Sequence, residues 1–175
     1  MSILTDEHLC ALGRVTVNVA GLEQYLRDVI ADMIAVERQV GLIVTSKFSF
    51  YESLQTFESL CRREIKRRGN DHELIERLEQ ITNRANRLRD DRNDVIHAAW
   101  RADANGEARI LRPDAEVREG RIRPSSEIVA AETIEALAER AIAVQLEIDH
   151  LVRNELRLLT PQRSEAHLNR PRRTR

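Results

Sequence analysis

Arg92, Asn93 and His97 lie close together in the stretch Arg89-Asp90-Asp91-Arg92-Asn93-Asp94-Val95-Ile96-His97-Ala98-Ala99-Trp100. A guanidinium can neutralise the charge that grows on a phosphate, and an imidazole can move protons near neutral pH. Close together, the two suit phosphodiester chemistry, and neither task needs a metal. Arg92 also breaks a local pattern. Leu74, Leu78, Ile81, Ala85 and Leu88 recur at helical spacing, Arg92 falls where the next apolar residue is due, and Val95 and Ala99 resume the stripe. A rule broken at one position, with the pattern intact on both sides, points to a functional or strained site.

The same residues admit a plainer account. On one straight α-helix, positions five apart lie roughly 140° apart around the axis. His97 would then share the polar face with Asp90, Asn93 and Asp94. A solvated His⁺ paired with Asp94, and an Arg92 reaching out of an apolar seam, would explain both residues without chemistry. Two arrangements would bring them together instead: a helix break near Asp90-Asp91, or a two-fold axis setting Arg92 of one protomer beside His97 of its partner.

Arg92-Asn93-Asp94-Val95-Ile96-His97 resembles the R-N-x-x-x-H form of the R-x-x-x-x-H motif of HEPN domains, all-α domains of prokaryotic toxins and antiphage systems. Trp100 extends it to an R-N-x-x-x-H-x-x-W stretch like that of many small bacterial proteins. The resemblance implies a metal-independent endoribonuclease whose site forms at a dimer interface, with no cofactor. Arg92 would hold the phosphate, His97 would transfer protons and Asn93 would orient the site. Other members of the family are non-catalytic binding or assembly modules, so a helical dimer that binds a protein partner is the alternative.

The remaining sequence offers little chemistry. It has no Gly-rich phosphate loop, Walker motif, nucleophile elbow or Cys/His metal pattern. His8, His72, His150 and His167 are scattered and read as ordinary surface or boundary residues. Cys10 and Cys61 read as small buried thiols of a reducing, cytoplasmic compartment. The start of the chain has no basic and apolar leader, and no run is long enough to span a bilayer.

The elements that must position the motif are mainly helical. Of the 175 residues 42% are hydrophobic, 33% charged and 3% aromatic, and the net charge is -1. That balance excludes a strongly basic nucleic-acid binder and an acidic disordered chain. A first helix is predicted from about Thr5 to about Arg38, with a seam of Leu12, Val15, Val19, Leu22, Leu26, Val29, Met33 and Val36. Gly41 should end it and Leu42 to Lys47 should connect. Ser49 and Glu52 form a capping box for a second helix that stops at Gly69-Asn70, with the arginines near its end on a solvated face. A third helix starts near Asp71 and carries the motif. Asn105-Gly106 predicts a turn, and Glu116-Val117-Arg118 with Arg121-Ile122-Arg123 a small β-ribbon. The fourth helix runs from about Ala131 to Leu159.

The expectation is an all-α fold: about four long helices in an up-down bundle, as a single helical domain over residues 1–160, with a β-ribbon between the third and fourth. Residues 161–175 form an Arg-rich tail. A homodimer is expected through helix one and the Arg92-His97 region, with RNA as substrate, an antitoxin or other protein as possible partner, and no membrane association.

Overall fold

Helical periodicity and caps decide most of the element boundaries. The computed structural model describes residues 4–34, 37–102, 108–118 and 121–158. Its helices are α1 (Asp6–Met33), α2 (Arg38–Thr45), α3 (Phe50–Arg67), α4 (His72–Ile96) and α5 (Ala131–His150), the last continued by a π-helical turn, Leu151–Glu155. Strands β1 (Ala99–Ala102), β2 (Ala108–Arg118) and β3 (Arg121–Ile128) form an antiparallel sheet in the order β1-β2-β3, between α4 and α5. The fold is all-α with a β insertion. Among the described residues no helix is long and apolar enough to cross a membrane.

The chain divides into two compact units, each assembled from two segments. In the first, Met1–Leu22 with Arg84–Val144, the buried side chains include Val15, Val19 and Leu22 of α1, Ala85 and Leu88 of α4, Ile110 of β2, and Ile134, Leu137 and Ala141 of α5. Polar links join the same elements: Asn18 Nδ2 donates to the Ala138 carbonyl at 3.1 Å, and Arg140 pairs with Asp91 at 2.7 Å. In the second, Glu23–Asn83 with Gln145–Arg175, Leu26 and Ile30 are buried, as are Leu54, Phe57, Cys61 and Ile65 of α3, Leu78 and Ile81 of α4, and Ile148 and Leu151. Tyr25 donates to Asp149, which also accepts from Arg153. Burial, and then the hydrogen bond to Asp149, raises the Tyr25 pKa, so the phenol stays a neutral donor.

Local sequence signals predict several ends correctly. Ser49 Oγ accepts from the Glu52 amide and the Glu52 carboxylate accepts from the Ser49 amide, a complete capping box at the start of α3. The end of α3 is made by Gly69 and Asn70, both at positive φ, 116° and 62°. Asp71 Oδ1 then caps α4 by accepting from the amides of Glu73 and Leu74. The ribbon pairs as expected, Glu116 with Arg123, Val117 with Ile122 and Arg118 with Arg121.

Four expectations are corrected. The first helix ends at Met33 rather than near Arg38, and the segment read as a connection is helix α2 through Thr45. Gly41 does not end a helix. It lies inside α2, and a Cβ there would stand 2.9 Å from Ala31 Cβ and 3.0 Å from the Ala31 backbone, so it permits close approach. The ribbon has a third strand, with β1 pairing Trp100 to Ile110 and Ala102 to Ala108, so the apolar stripe resuming at Ala99 is strand and not helix. The register of β2 and β3 shifts between Arg112 and Glu116, where Pro113 has no amide to offer the ladder. Helix α5 widens at Leu151–Glu155, where the Leu156 amide reaches the Leu151 carbonyl at 2.8 Å. The extra residue per turn brings Leu156, fully buried, onto the inner face, while Glu155 pairs with Arg77 and His150. The Asn105-Gly106 turn, Val36 and the tail lie outside the described residues.

The glycines give a stability test with opposite signs. Gly41→Ala is expected to destabilise by about 1–3 kcal/mol, because overpacking against Ala31 outweighs the helix propensity of Ala. Gly13 and Gly21 have nothing within 4 Å of a built Cβ and are exposed, so Ala there is expected to stabilise by up to about 1 kcal/mol. Urea unfolding midpoints of the three variants read both outcomes.

Candidate functional site

The motif occupies the end of α4. Along that helix Leu78, Ile81, Ala85 and Leu88 are 0% exposed, and Arg92 takes the next position of the same stripe. Its guanidinium is half-buried and its Nη1 donates to Asn93 Oδ1 at 2.9 Å. The Arg92 Nε–H is buried without an acceptor. An unsatisfied buried donor costs about 1–3 kcal/mol, which makes Arg92 an expensive choice for a purely structural position.

α4 runs unbroken through Asp90-Asp91 and ends at Ile96. His97 is the first residue beyond it, in a bend, and is exposed. Its amide donates to the Asn93 carbonyl at 3.0 Å, the last hydrogen bond of helical spacing in α4. Its ring has no hydrogen-bond or ion-pair partner among the described residues, so the expected pairing with Asp94 does not form. The structure therefore brings Arg92 and Asn93 side chains together and leaves the His97 imidazole in solvent, bonded to neither. Trp100, half-buried, donates its indole Nε1–H to the Val95 carbonyl at 3.1 Å and packs edge-to-face with the His8 ring, the centroids 6.2 Å apart.

No family model, curated protein or solved structure matches the chain. The site therefore rests on its own geometry.

Two of the cavities lined by described residues lie in the same unit as the motif. One, of about 170 Å³, is lined by Asp91, Asp94 and Val95 of α4 with Ile110, Glu127 and Arg140 among others. The other, of about 400 Å³, lies at the starts of α1 and α5 and is lined by Asp6, Glu7, Cys10, Arg14, Glu132 and Glu135 among others. Carboxylates outnumber the cations in both linings, which disfavours a phosphate, and Arg92, Asn93 and His97 line neither. No group of three or more His, Cys, Asp or Glu residues among those described could hold a metal ion.

The two cysteines separate. Cys61 is buried, and desolvation, with a smaller contribution from Glu58, pushes its thiol up to about 12, so it is not a nucleophile. Cys10 is exposed, which corrects the expectation of burial. It precedes Ala11 on the inward stripe and lines the open cavity at the starts of α1 and α5.

Arg62, Arg67 and Arg68 near the end of α3 are engaged in ion pairs. Arg62 pairs with Glu58 and Glu79, and Arg67 and Arg68 both pair with Glu64 at 2.6 Å. The hydrogen bond from Arg67, then that from Arg68, holds the Glu64 carboxyl down at about 2 against the upward push of burial. A depressed carboxyl pKa stabilises the fold above the unfolded value, near 4.5, and that contribution is lost as pH falls toward 2. Both arginines remain partly in water, so the effect is modest. Glu64→Gln is expected to lower Tm by about 1–3 °C at pH 7, with the difference from wild type closing between pH 4.5 and 2.

His8 is the residue that sequence reasoning passed over. Its ring joins residues more than ninety positions away, Trp100 and Val129, and nothing local in its sequence signals that.

Proposed function

We propose that the chain is a metal-independent endoribonuclease of the HEPN type, cytoplasmic, serving as a toxin or antiphage defence component, with RNA as substrate. The observation that carries this reading is Arg92: a guanidinium held at the end of an otherwise apolar stripe, oriented by Asn93, with one buried N–H unsatisfied and, beyond the helix end, a histidine whose ring has no partner among the described residues. Phosphate oxygens are the acceptors a planar guanidinium fits best. In the reaction the ribose 2′-oxygen bonds to the adjacent phosphorus, the bond to the 5′-oxygen breaks, and a cyclic phosphate and a 5′-hydroxyl result. His97 carries the proton, Arg92 stabilises the charge on the phosphoryl oxygens, and Asn93 holds Arg92.

Because the His97 ring makes no bond to Arg92 within one chain, the reading requires a homodimer in which a second copy completes the site. A cognate antitoxin would act by covering that site or by preventing pairing. The test is incubation of a mixed RNA pool in EDTA with wild type and His97→Ala. Cleavage by the wild type alone supports the reading, and an inert wild type removes it.

A second reading is a non-catalytic dimerisation or protein-binding module. It is favoured by the exposed apolar side of α2, where Val40, Ile43 and Val44 are 46%, 71% and 50% exposed, and by the exposure of His97. An RNA-inert wild type that sediments as a stable dimer would establish it.

A further inference from the structure

The bend that carries His97 is held by residues beyond Arg92, Asn93 and His97 themselves. α4 ends at Ile96, so the carbonyls of its last turn lose their helical amide partners. One of them, Val95, is met by a side chain instead: the Trp100 indole N–H donates to it at 3.1 Å. Trp100 can do this because it lies on β1, where its backbone is fixed opposite Ile110. The chain passes from helix to strand between Ile96 and Ala99, with His97 and Ala98 as the link.

The indole is braced in turn. The His8 ring packs against it in a T-shaped pair, 6.2 Å between centroids and 72° between planes. His8 Nε2 lies 3.0 Å from the Val129 carbonyl, and Nδ1 lies 2.7 Å from Thr5 Oγ1. A carbonyl only accepts, so Nε2 carries the hydrogen, and in the neutral ring Nδ1 accepts from the Thr5 hydroxyl. Val129 is itself buried, its amide donating to the Ala108 carbonyl at the start of β2. A chain of contacts therefore runs from the end of α4 through Trp100 to α1 and to the segment that enters α5.

We infer that Trp100, braced by His8, is a positioning residue that locks the last turn of α4 and so fixes where His97 stands. Its bearing on catalysis rests on the RNA-cleavage reading above, whereas the lock itself stands on this geometry. Neither residue touches Arg92 or Asn93 through a described hydrogen bond, so neither is part of the phosphate grip.

The experiment reads the lock separately from activity. The His97 amide, bonded to the Asn93 carbonyl at 3.0 Å, reports opening of the last turn. Native-state hydrogen exchange is measured by NMR on wild type, on Trp100→Phe, which keeps a ring and deletes the N–H, and on His8→Ala, which leaves the indole bond and deletes the brace. Loss of one hydrogen bond predicts exchange at His97 faster by about five-fold in Trp100→Phe, with a smaller increase in His8→Ala. Amides in the middle of α3 should be unchanged in both. On the same proteins kcat for RNA should fall with KM unchanged, because phosphate binding through Arg92 is untouched. Unchanged exchange at His97, or an increase shared equally by α3, overturns the inference. Faster exchange confined to the His97 turn supports it even if wild type cleaves no RNA, in which case only the functional reading falls. Should Trp100→Phe fail to fold, His8→Ala decides by the same criterion.

Discussion

Replacing His97 by Ala is expected to lower RNA cleavage by roughly 10²–10⁴-fold while leaving the melting curve where it was. The side chain is exposed and its ring bonds to nothing described, so its removal deletes no packing. Arg92→Lys is expected to lose most activity as well, because an ammonium cannot reproduce the planar two-point grip on phosphate. It also loses the bond to Asn93, so some fall in melting temperature accompanies it. If the two residues act as one unit, the double variant will be little worse than either single one, since each loss already abolishes the same step. Activity should persist in EDTA, because guanidinium and imidazole supply both the charge neutralisation and the proton transfer. Independent, multiplicative effects of the two substitutions would show that they do not share a site. A drop in Tm for Arg92→Lys with no cleavage to lose would make the residue structural.

Leu22→Glu and Leu26→Glu are each expected to unfold the protein. Both side chains are 0% exposed within the single chain, so a carboxylate there is cut off from water. An uncompensated buried charge costs several kcal/mol, against a total stability of about 5–15 kcal/mol for a typical domain. Far-UV circular dichroism would show loss of helix at room temperature. The helix-one seam, expected to serve a homodimer, is instead buried within the single chain. Val15, Val19, Leu22, Leu26 and Val29 are all covered inside the chain, so a homodimer must use other residues. A folded but monomeric Leu26→Glu would show that the seam is intermolecular after all.

Which parts were legible follows from the range of the forces involved. The helical character, the capping box at Ser49 and Glu52, the Gly69-Asn70 stop, the Asp71 start and the ribbon pairing all depend on residues a few positions apart. Their patterns stand in the sequence because period, cap and turn chemistry are local. The apolar stripe of α4 and its interruption at Arg92 were readable for the same reason. Helix α2 was not. Its Gly41 has the composition of a stop, and only the approach of Ala31 explains why it is instead the contact point of a short helix. β1 was hidden because Ala99 continues a helical spacing, and pairing with β2 overrides it. At the site, the sequence named Arg92, Asn93 and His97 by type and spacing. Tertiary structure decided that Asn93 rather than His97 meets the guanidinium, that the helix breaks after Ile96 rather than at Asp90-Asp91, and that Trp100 and His8 hold the bend. The hold on the bend depends on where β1 and the distant α1 lie against the end of α4, and residue spacing along one helix carries no record of that.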